Sequence, residues 1–440
     1  MTAQRVTQVR PIRDDSPDGD ERATLRAGYR NVRELTELLS SPLSPEDQVI
    51  QSMPDVSPTK WHRGHTTWFF ETFLLERFLT GYDAFDPEFR YLFNSYYEAV
   101  GPRHPRNQRG LISRPNVEAV GRYRAHVDAA MVKLLDDCDA RALTHVATLV
   151  ELGLHHEQQH QELLLMDIKH VLSCNPLEPA YLDEGGPGVN TATPVRFVAD
   201  GGGLVEVGHA IEGPAPRGFA FDNESPRHRV FLEPFRIADR LVTAGEWLEF
   251  IDDGGYRSPS LWLSDGWYAV NDHGWDAPAY WRHDERDGWT VFTLNGRRPI
   301  APAEPVVHVS HYEADAFARW SGARLPTESE WEHAVASTRP PSAARAGQRL
   351  HPTRAGDDAG LRQAFGDVWQ WTASAYLPYP RFAPAPGAVG EYNGKFMSGQ
   401  MVLRGSACVT PPGHARATYR NFFPPASRWM FAGVRLATDA

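Results

Sequence analysis

The sequence has few cysteines and no long apolar segment. Its 440 residues include three cysteines, Cys138, Cys174 and Cys408, which lie far apart and form no CxxC pair. This pattern excludes a disulfide framework and a cysteine-type zinc site, and it is typical of a reducing compartment. Residues 1–22 lack the apolar core of a secretory signal, and no apolar run is long enough to span a bilayer. These absences predict a cytoplasmic protein without a membrane partner.

Positive charge is also in deficit. The chain has 45 lysines and arginines against 56 aspartates and glutamates, which gives a formal net charge of −11. A surface of this sign disfavours binding to nucleic acids or to anionic membranes. A chain of this length is long enough for two domains, each with its own core.

The most informative stretch is residues 152–172, LGLHHEQQHQELLLMDIKHVL. After Gly153 it has no glycine or proline, and its leucines recur at helical spacing, so it predicts one long helix. His156 and His160 lie four residues apart and therefore share a face. Leucines flank that face, which predicts that both imidazoles point into a core and bind a metal. The alternative is two histidines whose hydrogen bonds are satisfied inside a helical bundle.

Three more helices are predicted in the first half of the chain, at residues 21–40, from Ser57 onwards and at 117–135. In the second of these, Ser57 is the expected N-cap and Pro58 the first-turn proline. His65 shares a face with large aromatic residues and is the expected third metal ligand, whereas His62 is expected to face away. Four helices with inward histidines predict a bundle with an interior metal site.

A long segment without helical or strand periodicity, residues 91–115, separates the second and third helices. Ordered loops of this length inside a domain are usually functional. The segment carries, among glycines and prolines, Tyr96, Tyr97, Arg103, Arg106, Arg109 and Arg114.

The composition changes between about residues 177 and 193, where the helical pattern gives way to glycine, proline, tryptophan and short β-rich runs. We therefore expect a flexible leader at 1–20, a helical bundle at 21–180 and a second domain at 190–440. Three helices are expected in the second domain, with Thr243, Ser310 and Thr327 as N-caps. Residues 339–347 are expected to form a surface insertion.

Several segments resemble known families. RLPTESEWEHAVA, FGDVWQWTASAY, VLRGSACVTPPGH and FAGVRLA resemble the formylglycine-generating-enzyme (sulfatase-modifying factor) fold, a C-type-lectin-like α+β domain. The helical half resembles a DinB-type four-helix bundle. Together with SPTKWHRGHTTWFFETFLL, NSYYEAVGPRHPR and HHEQQHQELL, in this order, the chain is similar to the ergothioneine-biosynthetic sulfoxide synthases, the EgtB family.

This resemblance implies a nonheme iron(II) enzyme of the α+β class with two domains, a helical bundle followed by a C-type-lectin-like domain. With O2, such an enzyme joins a thiol sulfur to the imidazole C2 of hercynine (Nα-trimethylhistidine) and oxidises the sulfur to a sulfoxide. By position, His65, His156 and His160 match the iron ligands of the family. Gln159 and Asn421 match positions that are associated with hercynine binding.

The family has a branch that uses cysteine and a branch that uses γ-glutamylcysteine. The cysteine branch carries the tyrosine pair of NSYYEAVG, here Tyr96 and Tyr97, so the resemblance favours cysteine and a hercynylcysteine sulfoxide product. One of this pair is the expected proton donor. The other branch has its tyrosine in the second domain, where Tyr392 is the next candidate.

The charges of the two substrates suggest further binding residues. Arg103 and Arg106, in GPRHPR, lie where a guanidinium could bind a substrate carboxylate. A trimethylammonium group donates no hydrogen bonds and needs aromatic faces, for which Phe422 and Phe423 are candidates.

Other functions remain open from the sequence. His156 to His160 also satisfies the HExxH pattern of zinc peptidases, with Glu157 as general base, but only Glu178 or Glu184 would be available as a third ligand, and His65 would have no role. Oxidation of protein cysteines, as in the formylglycine-generating enzymes, would need a cysteine pair in the second domain, which has Cys408 alone.

A lectin-like binding module, the ovothiol branch and the selenoneine-forming relatives are further alternatives. The complete histidine set argues against a mere binding module. The ovothiol branch often carries a methyltransferase domain, and no segment here matches one.

Overall fold

Amphipathic helices build the first domain. The computed structural model describes residues 21–183, 191–210, 218–336, 338, 349–385 and 387–440, so the expected leader, the expected insertion at 339–347 and Glu184 lie outside the described residues. In α1, the buried residues Leu25, Tyr29 and Val32 recur every three or four positions, as predicted. The helices are α1 (Glu21–Ser40), α2 (Thr59–Phe70), α3 (Glu76–Phe78), α4 (Phe89–Leu92), α5 (Val117–Asp137) and α6 (Ala140–Ser173).

Helix α2 occupies the middle of the bundle, and all its residues are buried. A π-helical turn, Glu71–Leu75, connects it to α3. The N-cap is Pro58, so the expectation of a Ser57 cap is wrong. The reason is tertiary: the backbone N–H of Ser57 donates to Asp167, and its hydroxyl accepts a hydrogen bond from Arg109.

Close backbone packing brings α6 onto the end of α2. At Gly153, an added Cβ would lie 2.6 Å from the ring of Phe70 and 3.0 Å from the ring of Phe69. The missing side chain therefore allows the two helices to approach closely. None of the described helices is both long and apolar enough to cross a membrane.

The second domain contains four small sheets and four helices. The sheets have the strand orders β1-β4-β12, β2-β3, β5-β6-β7 and β10-β9-β8-β11 in the described residues. The strands are β1 (Phe197–Asp200), β2 (Gly203–Val207), β3 (His228–Leu232), β4 (Phe235–Ala238), β5 (Trp281–Asp284), β6 (Gly288–Thr293), β7 (Gly296–Pro299), β8 (Trp369–Ala375), β9 (Met401–Gly405), β10 (Asn421–Phe423), β11 (Ala432–Gly433) and β12 (Ala437–Asp439). The helices are α7 (Ala244–Asp252), α8 (Ser264–His273), α9 (His311–Trp320) and α10 (Glu328–Ala334).

The predicted helix caps of this domain are confirmed. Thr243, Ser310 and Thr327 cap α7, α9 and α10, and each forms a capping box with a glutamate three residues later. Helix α8 was not predicted from the sequence. The overall architecture is the predicted one, an α+β protein with a helical first domain and a second domain of small sheets.

The joint between the two domains includes direct contacts of α6 with the second domain. Trp369 of β8 donates from Nε1 to Glu162 Oε1 at 2.5 Å. The side-chain amide of Gln158 donates to the carbonyl of Pro412 at 2.9 Å, and Lys169 Nζ lies 2.6 Å from His308 Nε2. The helix that carries two of the expected ligands therefore also forms the domain interface.

Candidate metal centre and adjoining cavity

Three buried histidines meet where α2 and α6 cross. His65, His156 and His160 each offer one ring nitrogen, and these atoms lie within 4.8 Å of one another. The Nε2 atoms of His65 and His156 are 3.1 Å apart. The structure therefore brings together the three side chains that the sequence predicted as metal ligands.

The protonation of these rings suits metal binding. His65 Nδ1 lies 2.6 Å from the carbonyl oxygen of Phe93, so this nitrogen carries the proton and Nε2 keeps a free lone pair. Burial, and then the neighbouring His156, lowers the pKa of His65 well below its usual value. Burial lowers the pKa of His156 to about 3 and holds that of His160 well below normal. Three neutral imidazoles that converge on one point form a ligand set for a transition metal.

Aromatic rings fix the orientation of His65. Its imidazole is stacked between Trp61, with ring centroids 4.6 Å apart, and Trp68, at 5.5 Å. On the far side of Trp61, the guanidinium of Arg109 lies 3.3 Å from the ring centroid. The imidazole of His65 is thus held in place by stacking between two indole rings, and the helix backbone alone would not fix its orientation.

Glu157 belongs to a different network. Its carboxylate accepts hydrogen bonds from Arg33 at 2.9 Å, Arg124 at 3.0 Å and the hydroxyl of Thr36 at 2.6 Å. Burial alone would raise the pKa of Glu157, but Arg33 and Arg124 bring it below its usual value. Glu178, in turn, pairs with Arg297 and Arg282. The peptidase interpretation therefore lacks its general base, and Glu178 is not free to be its third ligand, while Glu184 lies outside the described residues.

The expectation that His62 faces away from the cluster is wrong. Its Nδ1 lies 2.8 Å from Nδ1 of His160, and its Nε2 lies 3.0 Å from Oδ2 of Asp167. Helix α2 is covered on every side, so each of its faces contacts another element. The amphipathic pattern used for the prediction assumes one face in water, and that assumption fails here.

A cavity of about 360 Å³ opens beside His160 between the two domains. It is lined by residues of both halves, so neither domain forms it alone. The sequence-predicted residues that line it are Tyr96, Arg106, Gln159, His160, Asn421, Phe422 and Phe423.

Four of the predicted site residues do not line this cavity: His65 and His156, which lie next to His160, and also Tyr97 and Arg103. Tyr97 is buried against Trp68 and Phe73. Arg103 is partly exposed and forms an ion pair with Glu98 at 2.9 Å.

Arg109 lines the cavity instead, and the sequence analysis gave it no role. Residues Arg106–Leu111 form a 3₁₀ turn, in which side chains three apart share a face. Arg106 and Arg109 therefore point the same way, while Arg103 precedes the turn. Arg109 donates to the hydroxyls of Ser57 and Ser95, at 2.9 and 3.2 Å, and has no carboxylate partner among the described residues. The sequence signal for this arrangement was the spacing of three residues between the arginines of RHPRNQR.

Tyr392 also reaches the site from the second domain. Its ring centroid lies 5.6 Å from that of His156 and 6.3 Å from that of Tyr96. The preceding residue, Glu391, accepts hydrogen bonds from the backbone N–H groups of Glu98 and Ala99, at 2.9 and 2.8 Å. This contact ties the segment that carries Tyr392 to the loop that carries Tyr96.

The cavity lining also includes a buried carboxylate. Glu162 accepts hydrogen bonds from Trp369 and from the hydroxyl of Thr410, both at 2.5 Å, and burial raises its pKa to about 7. The amide of Gln159, also in the lining, donates to the hydroxyl of Tyr419. Arginines, aromatic rings and a carboxylate thus line the same cavity.

Comparison with known proteins matches both halves of the chain. A model of the DinB superfamily matches residues 28–164, and a model of the sulfatase-modifying factor enzyme 1-like domain matches residues 190–352 and 349–440. A protein named hercynine oxygenase from Mycolicibacterium smegmatis is 35% identical over 347 residues, which span 72% of this chain and 77% of the relative. Its namesake from Mycolicibacterium thermoresistibile is 34% identical over 420 residues, 88% of each chain. Ergothioneine biosynthesis protein 1 of Schizosaccharomyces pombe is 27% identical over 50% of this chain and 28% of the relative.

The two domains and the buried histidine site define an enzyme of the oxygenase class. As the motifs predicted, the chain belongs to the hercynine oxygenase family, the EgtB-type sulfoxide synthases.

Proposed function

We propose that the protein is an iron(II)- and O2-dependent sulfoxide synthase that joins the sulfur of cysteine to the imidazole C2 of hercynine. The observation that carries this proposal is the set of three buried, neutral histidines beside a cavity that both domains line. The family relationship supplies the substrate class, because relatives that are 34–35% identical to this chain are named hercynine oxygenases.

His65, His156 and His160 would hold the metal. Three imidazoles leave three positions of an octahedral ion for other ligands, which suits Fe(II) in oxygenases. When bound, the iron would supply O2 activation and would favour the thiolate form of a coordinated thiol. All further contributions come from side chains of the protein.

The arginines that line the cavity are suited to a substrate carboxylate. Arg106 and Arg109 lie on the same face of their turn and both line the cavity. A guanidinium presents paired N–H groups that match the two oxygens of a carboxylate. Arg103 was expected to share this role, but its partner is Glu98 on the protein surface.

The aromatic rings that line the cavity are suited to the trimethylammonium group of hercynine. Phe422 and Phe423 of β10 line the cavity together with Trp369 and Tyr419. Aromatic faces attract a cation that has no N–H groups. Glu162, whose pKa burial raises to about 7, would add a negative charge in its ionised form. Gln159 and Asn421, which also line this region, would contribute amide hydrogen bonds.

A cavity phenol would hold the proton that oxygen reduction consumes. Tyr96 and Tyr392 both line the cavity, whereas Tyr97 does not. Burial raises the pKa of Tyr96 to about 12 and that of Tyr392 well above its usual value, so both hydroxyls are protonated at neutral pH. We propose one of these two as the proton donor.

The thiol has a second candidate, γ-glutamylcysteine. The observation that favours it is Tyr392, since a tyrosine in the second domain is the feature of that branch. The tyrosine pair Tyr96 and Tyr97 favours cysteine.

The function can be tested by loading the protein with Fe(II) without oxygen and then adding O2, hercynine and one thiol at a time. Mass spectrometry should find the sulfoxide adduct of hercynine with cysteine at the higher rate. The adduct with γ-glutamylcysteine alone would move the protein to the other branch. If a protein with one bound iron forms neither adduct, the proposed function is contradicted. Tight binding of zinc in place of iron would favour a hydrolase.

A further inference from the structure

A continuous chain of buried hydrogen bonds leads from the second domain to one of the three histidines. Trp429 Nε1 donates to Oδ1 of Asp167 at 3.1 Å. The other oxygen of Asp167 lies 3.0 Å from Nε2 of His62, and Nδ1 of His62 lies 2.8 Å from Nδ1 of His160. All four side chains are largely buried, and all four also line the cavity.

The position of each proton in this series of hydrogen bonds follows from the carboxylate of Asp167. The carboxylate of Asp167 can only accept, and it already accepts from the backbone N–H of Ser57 at 2.9 Å. Nε2 of His62 therefore donates to this carboxylate, and in that tautomer Nδ1 of His62 is the acceptor. The proton between the two rings consequently belongs to Nδ1 of His160, which leaves a lone pair on Nε2 of His160.

We propose that His62 and Asp167 are positioning residues that hold His160 in its Nδ1–H form, so that Nε2 is available to the metal. This inference rests on the proposed metal site. A hydrogen bond to the second nitrogen of a ligand imidazole fixes both its proton and its ring orientation. For His65 the carbonyl of Phe93 has the same role.

The chain also connects the metal site to the docking of the two domains. Trp429 lies in the second domain, immediately before β11, and its N–H is one of three donors that hold the carboxylate of Asp167. The orientation of His160 is therefore set partly by a residue outside the bundle.

Substitutions at His62 test this inference by metal affinity. His62→Gln keeps an acceptor for His160 and a donor for Asp167, whereas His62→Leu keeps most of the volume and removes both. Anaerobic titration with Co(II) should show about 10–100-fold weaker binding for the leucine variant. The glutamine variant should stay within about threefold of the wild type. The matched control is His155→Leu on α6, the helix that carries His160. His155 is buried with His414 as its partner, and this variant should leave the metal affinity unchanged.

Wild-type affinity in His62→Leu would overturn the inference, and so would equal losses in the leucine and glutamine variants. Melting temperatures of the metal-free variants establish that each is folded.

A second measurement needs no variant at His62. NMR of metal-free wild-type protein with ¹⁵N-labelled histidine should show that the His160 ring is protonated on Nδ1. The signal of His160 is identified by its absence from the spectrum of His160→Gln. A proton on Nε2 would overturn the inference. Failure of the wild type to bind Co(II) or Fe(II) would instead contradict the proposed function. The position of the proton on the His160 ring would still test the role of His62 in that case.

Discussion

Arg109 is a buried cation whose partners are neutral. Most other buried arginines among the described residues pair with carboxylates, as Arg404 does with Glu332 and Arg420 does with Glu328, whereas Arg435 donates to Gln370 and to backbone carbonyls. Arg109 has two serine hydroxyls and the face of Trp61, and its Nε has no partner. A buried charge without a counter-ion is costly, so a substrate carboxylate would complete this site.

We therefore expect Arg109→Leu to weaken binding of one carboxylate substrate by about 1.5–3 kcal/mol, the value of a charge-assisted hydrogen bond. Initial rates over a range of hercynine and of thiol concentrations would show which KM rises. Arg103→Leu is the matched control, because its side chain lies outside the cavity, and it should leave both KM values nearly unchanged. Equal increases for the two variants would mean that the loop is structural.

The cavity phenols should control which product forms. Phe in place of the proton donor should suppress carbon–sulfur bond formation, while O2 uptake continues and the thiol is converted to its sulfinate. We expect this change of product in Tyr96→Phe or Tyr392→Phe, both of which line the cavity. Product analysis by mass spectrometry measures it. Tyr97→Phe is the control, and a change of product in this variant alone would contradict the assignment.

The site residues differ in how far the sequence could predict them. The i, i+4 spacing and the family motifs identified all three histidines, because a helix fixes which side chains share a face. The arginines were harder, since three of them recur at intervals of three. Only the 3₁₀ turn at Arg106–Leu111 decides that Arg106 and Arg109 face the cavity and Arg103 does not. A turn of this kind has no strong sequence signal.

At the scale of elements, Gly153 sets the distance between α6 and the end of α2. Ala is the better helix former, yet its Cβ would lie 2.6 Å from the ring of Phe70. We expect Gly153→Ala to lower the free energy of unfolding by about 1–3 kcal/mol, the usual cost of overpacking. Urea unfolding measures it.

Gly121→Ala on α5 is the control, because the nearest atom to its Cβ would be Arg63 Nη2 at 3.8 Å. It should be neutral or stabilising by up to about 1 kcal/mol. Equal changes in the free energy of unfolding for Gly153→Ala and Gly121→Ala would mean that both variants report helix propensity and not close packing.

Lys169 of α6 gives the domain joint a dependence on pH. Its amine is buried beside His308 and the rings of Tyr280 and Phe431, and burial lowers its pKa to about 7 from the ordinary 10.5. Between these two values the unfolded chain binds a proton that the native protein does not. Raising the pH through this window therefore stabilises the native state.

Urea unfolding at pH 7, 8 and 9 should show this effect. The stability of the wild type relative to Lys169→Met should rise by at most about 1.4 kcal/mol for each pH unit. A difference that stays constant with pH would mean that Lys169 keeps its proton in the native state.

The helices show where sequence patterns suffice. Capping residues marked the starts of α7, α9 and α10 correctly, because a cap satisfies backbone donors locally. Helix α8 was missed, since SDGWYAVNDH is rich in residues that disfavour helices. Its Gly266 packs directly on Tyr312 of α9, and such tertiary contacts cannot be predicted from local propensity.

At the scale of the whole molecule, one buried apolar cluster extends through both domains. It includes Leu154 and Leu165 of α6 together with Val309 and Trp371 of the second domain. A continuous core of this kind should make the two domains unfold together.

Metal binding should therefore stabilise both domains at once. At a metal concentration 100 times Kd, the free energy of unfolding should rise by about 2.7 kcal/mol. Far-UV circular dichroism follows the helical bundle, and tryptophan fluorescence follows mainly the second domain. Both urea midpoints should shift together with Fe(II) under anaerobic conditions, and neither should shift in His160→Gln. A shift in the helical signal alone would mean that the domains unfold separately.

The π-helical turn at Glu71–Leu75 affects how the length of this segment can change during evolution. A turn of this type holds one residue more than an α-helical turn, so the helix accommodates an insertion there without breaking. Loss of one residue would restore an ordinary helical turn and leave both His65 upstream and the residues downstream nearly in place, because the wide turn alone had absorbed the extra residue. The number of residues between the first histidine and the tyrosine pair can therefore vary among descendants of this chain, and a search that demands a fixed interval would overlook some of them.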